Sequence, residues 1–238
     1  MKTLKEITAF LNEGVYDPGI FKAFFLAGGP GSGKTFVTRS AFAGTGLKVV
    51  NSDAAFERGL KQSNLSLKMP DEEEYFRNLI RQRAKLTTNS MLDNYVDGRL
   101  GLVIDATGRD KEVINRQYNM LTNIGYDCYM IFVNTSLDVA LERNRTRSRT
   151  VPDYVVKKSW EVVQQNIGMF QRIFSPNKML IIDNNRSEQE LITLTLNQAA
   201  RFIRTQINKN PDNYIAKQWI AKELEVKKRI WKRLKNSI

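Results

Sequence analysis

Residues 28–35 read Gly-Gly-Pro-Gly-Ser-Gly-Lys-Thr, directly after the apolar run Lys22-Ala23-Phe24-Phe25-Leu26-Ala27. The octet satisfies G-x-x-x-x-G-K-[ST] in full, and its setting is the one the motif requires, an apolar strand before it and a helix-compatible run after. Glycines let the backbone curl until successive N–H groups point inward, and the following helix aims its positive end at the same point. Gly28, Gly29, Pro30, Gly31, Ser32, Gly33, Lys34 and Thr35 are therefore the expected nucleotide cradle. Lys34 would reach the β- and γ-phosphates, and the Thr35 hydroxyl would ligate magnesium.

The rest of the chain alternates in the same way. Apolar runs at 22–27, 47–50, 101–105, 127–133 and 178–183 read as parallel strands covered on both faces. Helical patterns lie between them at 34–43, 71–96, 111–124, 136–147 and 153–173. Strands separated by helices predict an α/β fold: a doubly wound, mostly parallel five-stranded sheet flanked by helices. A capping-box pattern at Ser187-Glu188-Gln189-Glu190 predicts a helix over 188–206. Pro211 suits the first turn of a last helix that runs to about Lys235. The expected division is an amphipathic N-terminal extension at 1–20, with Leu4, Ile7, Phe10 and Leu11, a core at 21–186, and a basic C-terminal helical extension at 187–238.

Composition excludes several chemistries. The chain of 238 residues has no histidine and one cysteine, Cys128. A general base must be a carboxylate, and Ser-His catalysis, a His-ligated metal and an internal disulfide are excluded. Cys128 reads as inert filler in a strand. No run approaches the ~20 apolar residues of a membrane span, and no signal-peptide pattern opens the chain, so a cytoplasmic setting is expected. The net charge is +12, and residues 201–238 alone hold eleven Lys or Arg against three Asp or Glu. Positive charge is thus mainly a feature of the tail that contains the last helix. That helix reads either as an amphipathic helix laid on the domain or as a nucleic-acid or protein contact.

Two carboxylates and an arginine series are the candidates for chemistry. Asp53 follows the strand that ends in Val49-Val50-Asn51, near the sheet edge where ligands bind. It is the expected base that accepts a hydroxyl proton, and it also reads as a helix N-cap before Ala54. Asp105 ends the apolar run Leu102-Val103-Ile104 and is placed to serve the magnesium shell or orient an acceptor. Thr107-Gly108 behind it reads as a tight turn. Arg143, Arg145, Arg147 and Arg149 alternate before Val151-Pro152, so a helix would pair Arg143 with Arg147 and Arg145 with Arg149 on different faces. Such guanidiniums suit a lid that stabilises charge on a transferring phosphoryl group.

Taken in order, "GGPGSGKT", "VVNSDAAFE", "VIDATG" and "ALERNRTRSRTVP" resemble the polynucleotide kinase and zeta-toxin branch of P-loop kinases, and especially kinase-like proteins of tailed bacteriophages. The resemblance covers roughly residues 20–186. It implies a central phosphate-loop strand, ATP-magnesium as donor, and a mobile arginine lid. It places Lys34 and Thr35 on the phosphate and magnesium positions, Asp53 on the base, Asp105 on the carboxylate after the third strand, and Arg143 and Arg147 on the lid. One departure is Phe56, where the family tends to carry a substrate-binding basic residue.

The leading expectation is an ATP-dependent kinase acting on a hydroxyl, either a polynucleotide 5′-hydroxyl or a nucleotide or nucleotide-sugar. The alternative is an ATP-binding phage assembly or interaction protein with vestigial activity. A motor or switch NTPase fits less well, because no Gln or second acidic residue follows Asp105 to orient a water.

Overall fold

The structure, a computed structural model, describes residues 14–17, 19–147, 150–185 and 189–235, with the main chain alone for 189–191. Five strands form one parallel sheet: β1 (Lys22–Ala27), β2 (Lys48–Val50), β3 (Leu102–Asp105), β4 (Asp127–Asn134) and β5 (Met179–Asp183). Their spatial order is β2-β3-β1-β4-β5. The chain leaves β1 on one side for β2 and β3, then crosses to β4 on the other. That winding places a ligand crevice at the carboxyl ends of the central strands. All six residues of β1 are buried, as its central place demands. The sheet is wholly parallel.

The helices are α1 (Lys34–Ala41), α2 (Ser52–Gln62), α3 (Glu74–Asp97), α4 (Lys111–Asn123), α5 (Leu137–Thr146), α6 (Asp153–Phe174), α7 (Gln189–Ile207) and α8 (Tyr214–Lys235). Side chains alternate along β1 and divide the core into two layers. Ala23, Phe25 and Ala27 share one core with Leu92 of α3, Leu121 of α4 and Phe174 of α6. Phe24 and Leu26 share the other with Val37 of α1 and with Ala199 and Ile203 of α7. Burial of each large apolar side chain contributes about 1.5–3 kcal/mol, so these two layers set the scaffold. Cys128 is buried in β4, and burial pushes its thiol pKa up. Among the described residues no helix is long and apolar enough to cross a membrane.

Three local differences from the sequence reading have physical causes. The segment after β2 forms a helix of its own, α2, whose short apolar face of Phe56 and Leu60 packs with Ala84 of α3. Residues 71–73 are a 3-10 turn after Pro70, so α3 begins at Glu74. Pro211 is buried ahead of α8, and Asn213 accepts from Ile215 N at 3.0 Å to open that helix. The predicted N-terminal amphipathic residues and Ser187 of the capping box lie outside the described residues.

The last helix is fastened to the amino ends of the strands. Its buried Ala216, with Trp219 and Ile220, packs on the first core, and Trp219 meets the Phe21 ring edge-on at 5.4 Å. Farther along, Lys227 Nζ lies 5.4 Å from the Tyr16 ring centre. Below the sheet, Lys22 and Asp127 form a buried ion pair at 2.8 Å. Asp127 also accepts from the Asp212 and Asn213 amides at 2.8 and 3.3 Å, tying β4 to the start of α8. Asp127→Asn leaves the Lys22 ammonium buried without its counter-charge, so urea denaturation is expected to lose about 3–5 kcal/mol of stability; a loss below about 1 kcal/mol would show that water or another group compensates.

Candidate active site

The phosphate loop joins β1 to α1 and is held from three sides. Gly31 (φ 74°) and Gly33 (φ 92°) adopt left-handed backbone. A Cβ on Gly31 would stand 2.4 Å from Ala140 O, and one on Gly33 would stand 2.3 Å from Asn184 Nδ2. Asn184, just past β5, donates to Ser32 O at 2.6 Å. Thr135, just past β4, donates to the same oxygen at 3.3 Å. The Trp160 ring of α6 lies within 4 Å of the place a Gly29 Cβ would take, and its Nε1 donates to Thr135 O at 2.6 Å. Lys34 bends back over the loop, its Nζ donating to Gly28 O at 2.7 Å and Gly29 O at 3.3 Å.

Asn51 organises the acidic side. Its Oδ1 accepts from Asp53 N at 2.7 Å, and its Nδ2 donates to Asp105 Oδ2 at 2.7 Å. Asn51 is therefore the N-cap of α2, and Asp53 sits in the first turn. This corrects the capping role read for Asp53. The same asparagine positions the Asp53 backbone and holds the Asp105 carboxylate at the end of β3.

These groups share one electrostatic field. Loss of hydration pushes the Lys34 pKa below the usual lysine range; Asp105 and Asp53 oppose that shift, and Arg147 adds to it. Loss of hydration likewise raises the Asp105 pKa, with Lys34 opposing and Asp53 adding. Three residues singled out from sequence, Asp53, Asp105 and Arg147, thus each lie within electrostatic reach of Lys34.

The arginine series divides, but not along one helix. α5 ends at Thr146, and Arg147 has extended backbone as its C-cap. Arg143 donates to Asn184 O at 2.9 Å, and its Nη1 lies 3.9 Å from the position of a Gly33 Cβ. Arg145 pairs with Asp153 on the exposed side. Arg149 lies outside the described residues. Phe56 is buried in the α2–α3 cluster, with the Arg81 guanidinium 4.0 Å from its ring centre.

The donors fit a magnesium nucleotide. Ser32 Oγ is a buried side-chain oxygen without a hydrogen-bond partner among the described residues, set within the cradle. Thr35 is exposed in the first turn of α1. Thr35 and Asp105 would supply the sparse oxygen set that magnesium uses when phosphates supply further ligands. Beside Asp105 a cleft of about 180 Å³ opens between the ends of β2 and β3 and helices α3 and α4. Gly108 (φ 76°) turns the chain there, and Asn166 of α6 donates to its carbonyl at 3.0 Å.

Sequence reasoning overlooked Asn51, Asn184 and Trp160. Only Asn51 carried a local signal, as the polar residue between a strand and a helical run. Asn51→Ser keeps a capping oxygen but removes the bond to ionised Asp105. An NMR titration of the Asp105 carboxyl is expected to move to higher pH in this variant; an unchanged or lower midpoint would detach Asn51 from that role.

Comparison with known proteins agrees with this architecture. No curated protein matches the chain in sequence. Among solved structures, one provisionally assigned as a kinase from Chloroflexus aurantiacus is similar at a TM-score of 0.55 and 18% identity, covering 78% of this chain and 98% of that one. The PezAT chromosomal toxin–antitoxin system of Streptococcus pneumoniae gives 0.50 and 16%, with 96% of each chain covered. The AvrRxo1-ORF1:-ORF2 complex with ATP gives 0.52 and 11%, covering 92% of this chain and 88% of that one. The shared architecture is the α/β P-loop kinase fold. A family model described as an AAA domain matches residues 24–169, more than half of the chain, and the protein belongs to that family.

Proposed function

We propose that the protein is an ATP-dependent kinase that moves a γ-phosphoryl group to a hydroxyl acceptor. The observation that carries this reading is the meeting of Lys34, Asp53, Asp105 and Arg147 in one field beside the phosphate loop. A loop that only gripped a nucleotide would not need two carboxylates and an arginine held next to its lysine.

Each residue then has a task. The loop amides and Lys34 hold the polyphosphate, and Asp53 accepts the proton of the attacking hydroxyl as the new O–P bond forms. Arg147, with Arg143, stabilises the charge on the equatorial oxygens. Asp105 and Thr35 would hold magnesium, which would supply positive charge to offset the negative charge developing on the phosphoryl group. The structure of AvrRxo1-ORF1:-ORF2 with ATP supports ATP as the donor.

The finer reading is a kinase of the polynucleotide kinase and zeta-toxin branch, with a nucleotide-like small acceptor rather than a polynucleotide end. Two observations favour the small acceptor. The basic helix α8 is fastened at the amino ends of the strands, opposite the phosphate loop. Phe56, on the family's basic position, is a core residue. A second reading, a phage assembly or interaction protein that binds ATP, draws on the same helix, where Trp231 is 53% exposed among lysines and arginines.

The test is transfer of labelled γ-phosphate to 5′-hydroxyl DNA and RNA, nucleosides, nucleotide-sugars and sugars. Asp53→Asn is expected to lower transfer by about 10²–10⁴-fold while ATP still binds, as loss of a general base does. Transfer undiminished in that variant would remove Asp53 from the mechanism. ATP binding with no transfer to any acceptor would favour the interaction protein.

A further inference from the structure

We propose that the part of the acceptor entering the cleft beside Asp105 is an uncharged, polyhydroxylated ring of monosaccharide size, and that the cleft discriminates against carboxylated and phosphorylated rings. This rests on the kinase reading of the same site and names the class of its acceptor.

Size is the first argument. About 180 Å³ is small beside the roughly 300–1,000 Å³ of ordinary ligand pockets. On that scale the cleft takes one ring and leaves the rest of a larger acceptor outside it.

Lining is the second. The floor is apolar, from Val50, Leu92, Ile104 and Ile114. The walls carry Ser52, Thr88, Asn89, Thr107 and Gln117, hydroxyls and amides that both donate and accept. Thr88 donates its own hydrogen to Ala84 O at 2.8 Å, which leaves its oxygen as an acceptor. Apolar faces with scattered two-way hydrogen-bonding groups match a ring whose edge bears hydroxyls.

Charge is the third. The ionisable groups that line the cleft are Asp105 and Asp110, both acidic; no lining residue among those described is Lys or Arg. The chain holds 37 Lys and Arg in 238 residues, so an average sample of fourteen would include about two. Asp110 also caps α4, accepting from Val113 N at 3.1 Å. Lys34, which donates to the Gly28 and Gly29 carbonyls, Arg143, which donates to Asn184 O, and Arg147 are not among the lining residues. An anionic ring in the cleft would therefore meet the Asp105 and Asp110 carboxylates with no Lys or Arg on the lining to offset them, and such mismatches disfavour the wrong partner.

The experiment is ligand-observed saturation-transfer NMR on the full-length protein loaded with magnesium and a non-hydrolysable ATP analogue. The probes are hexoses, cyclitols and free nucleosides, each beside its matched acid or phosphate ester. At least one neutral probe is expected to bind with about tenfold or greater preference over its charged counterpart. Asn89→Lys and Asp110→Asn, both at exposed rim positions, are expected to shift that ratio toward the acids by about fivefold, the effect of one nearby charge. Asn retains the capping oxygen that Asp110 supplies. Preference for the acids, absence of any neutral binder, or a ratio unmoved by both variants would each overturn the proposal. Supplying ATP to the same protein separates the two readings: a neutral ring that binds in the cleft but receives no phosphoryl group keeps the cleft assignment and removes the kinase.

Discussion

The interaction on which the rest of the site depends is the grip of the sheet on the phosphate loop. Ser32 O receives hydrogen bonds from Asn184 and Thr135, residues that follow two different strands. Ala140 and Asn184 then crowd the loop so closely that only hydrogen fits at Gly31 and Gly33. The curl of the loop is thus imposed from outside as well as allowed by its own glycines. A backbone fixed in advance need not be ordered when a polyphosphate arrives, which lowers the entropic cost of binding. Lys34 is poised by the same arrangement, since the carbonyls that receive its ammonium belong to the loop itself.

Partial dehydration gives this geometry its electrostatic force. Lys34 and Asp105 both titrate away from their usual ranges because water is displaced from them, and each restrains the shift of the other. Charges in such a place interact more strongly than they do in water. The protein therefore concentrates its strong pairs at the carboxyl edge of the sheet, while much of its net positive charge lies on α8, whose buried anchor sits at the amino edge. The cleft beside Asp105 is lined by two acids, neutral polar groups and apolar side chains with no Lys or Arg, so the basic total charge does not describe it.

Much of this was legible in the sequence, for a physical reason. Buried parallel strands must be apolar on both faces, so β1 and β4 stand out as continuous runs, and the glycine loop has a spacing with few alternative uses. Asp53, Asp105 and Arg147 were singled out from strand ends and an arginine series, and the fold sets each within electrostatic reach of Lys34. The parts that were missed depend on tertiary contacts. Asn184 is separated by 152 residues from the carbonyl it holds, and no local pattern records that meeting. Trp160 looked like any apolar residue of an amphipathic helix. α2 was missing from the helical patterns because its apolar face is only Phe56 and Leu60; its start was glimpsed but misplaced, with Asp53 read as the cap because Asn51 had been counted with the strand. The helical reading of the arginines failed at the single residue where α5 stops.

The loop as a preformed phosphate cradle is tested most directly by isothermal titration of the full-length protein with ATP and magnesium, beside the Gly31→Ala variant. The predicted result is saturable one-to-one binding by the natural sequence and severe loss of binding in the variant, since a Cβ at that position collides with the Ala140 carbonyl. Equal binding by the two proteins, or none by the natural sequence, would contradict the cradle and with it the chemistry built around it.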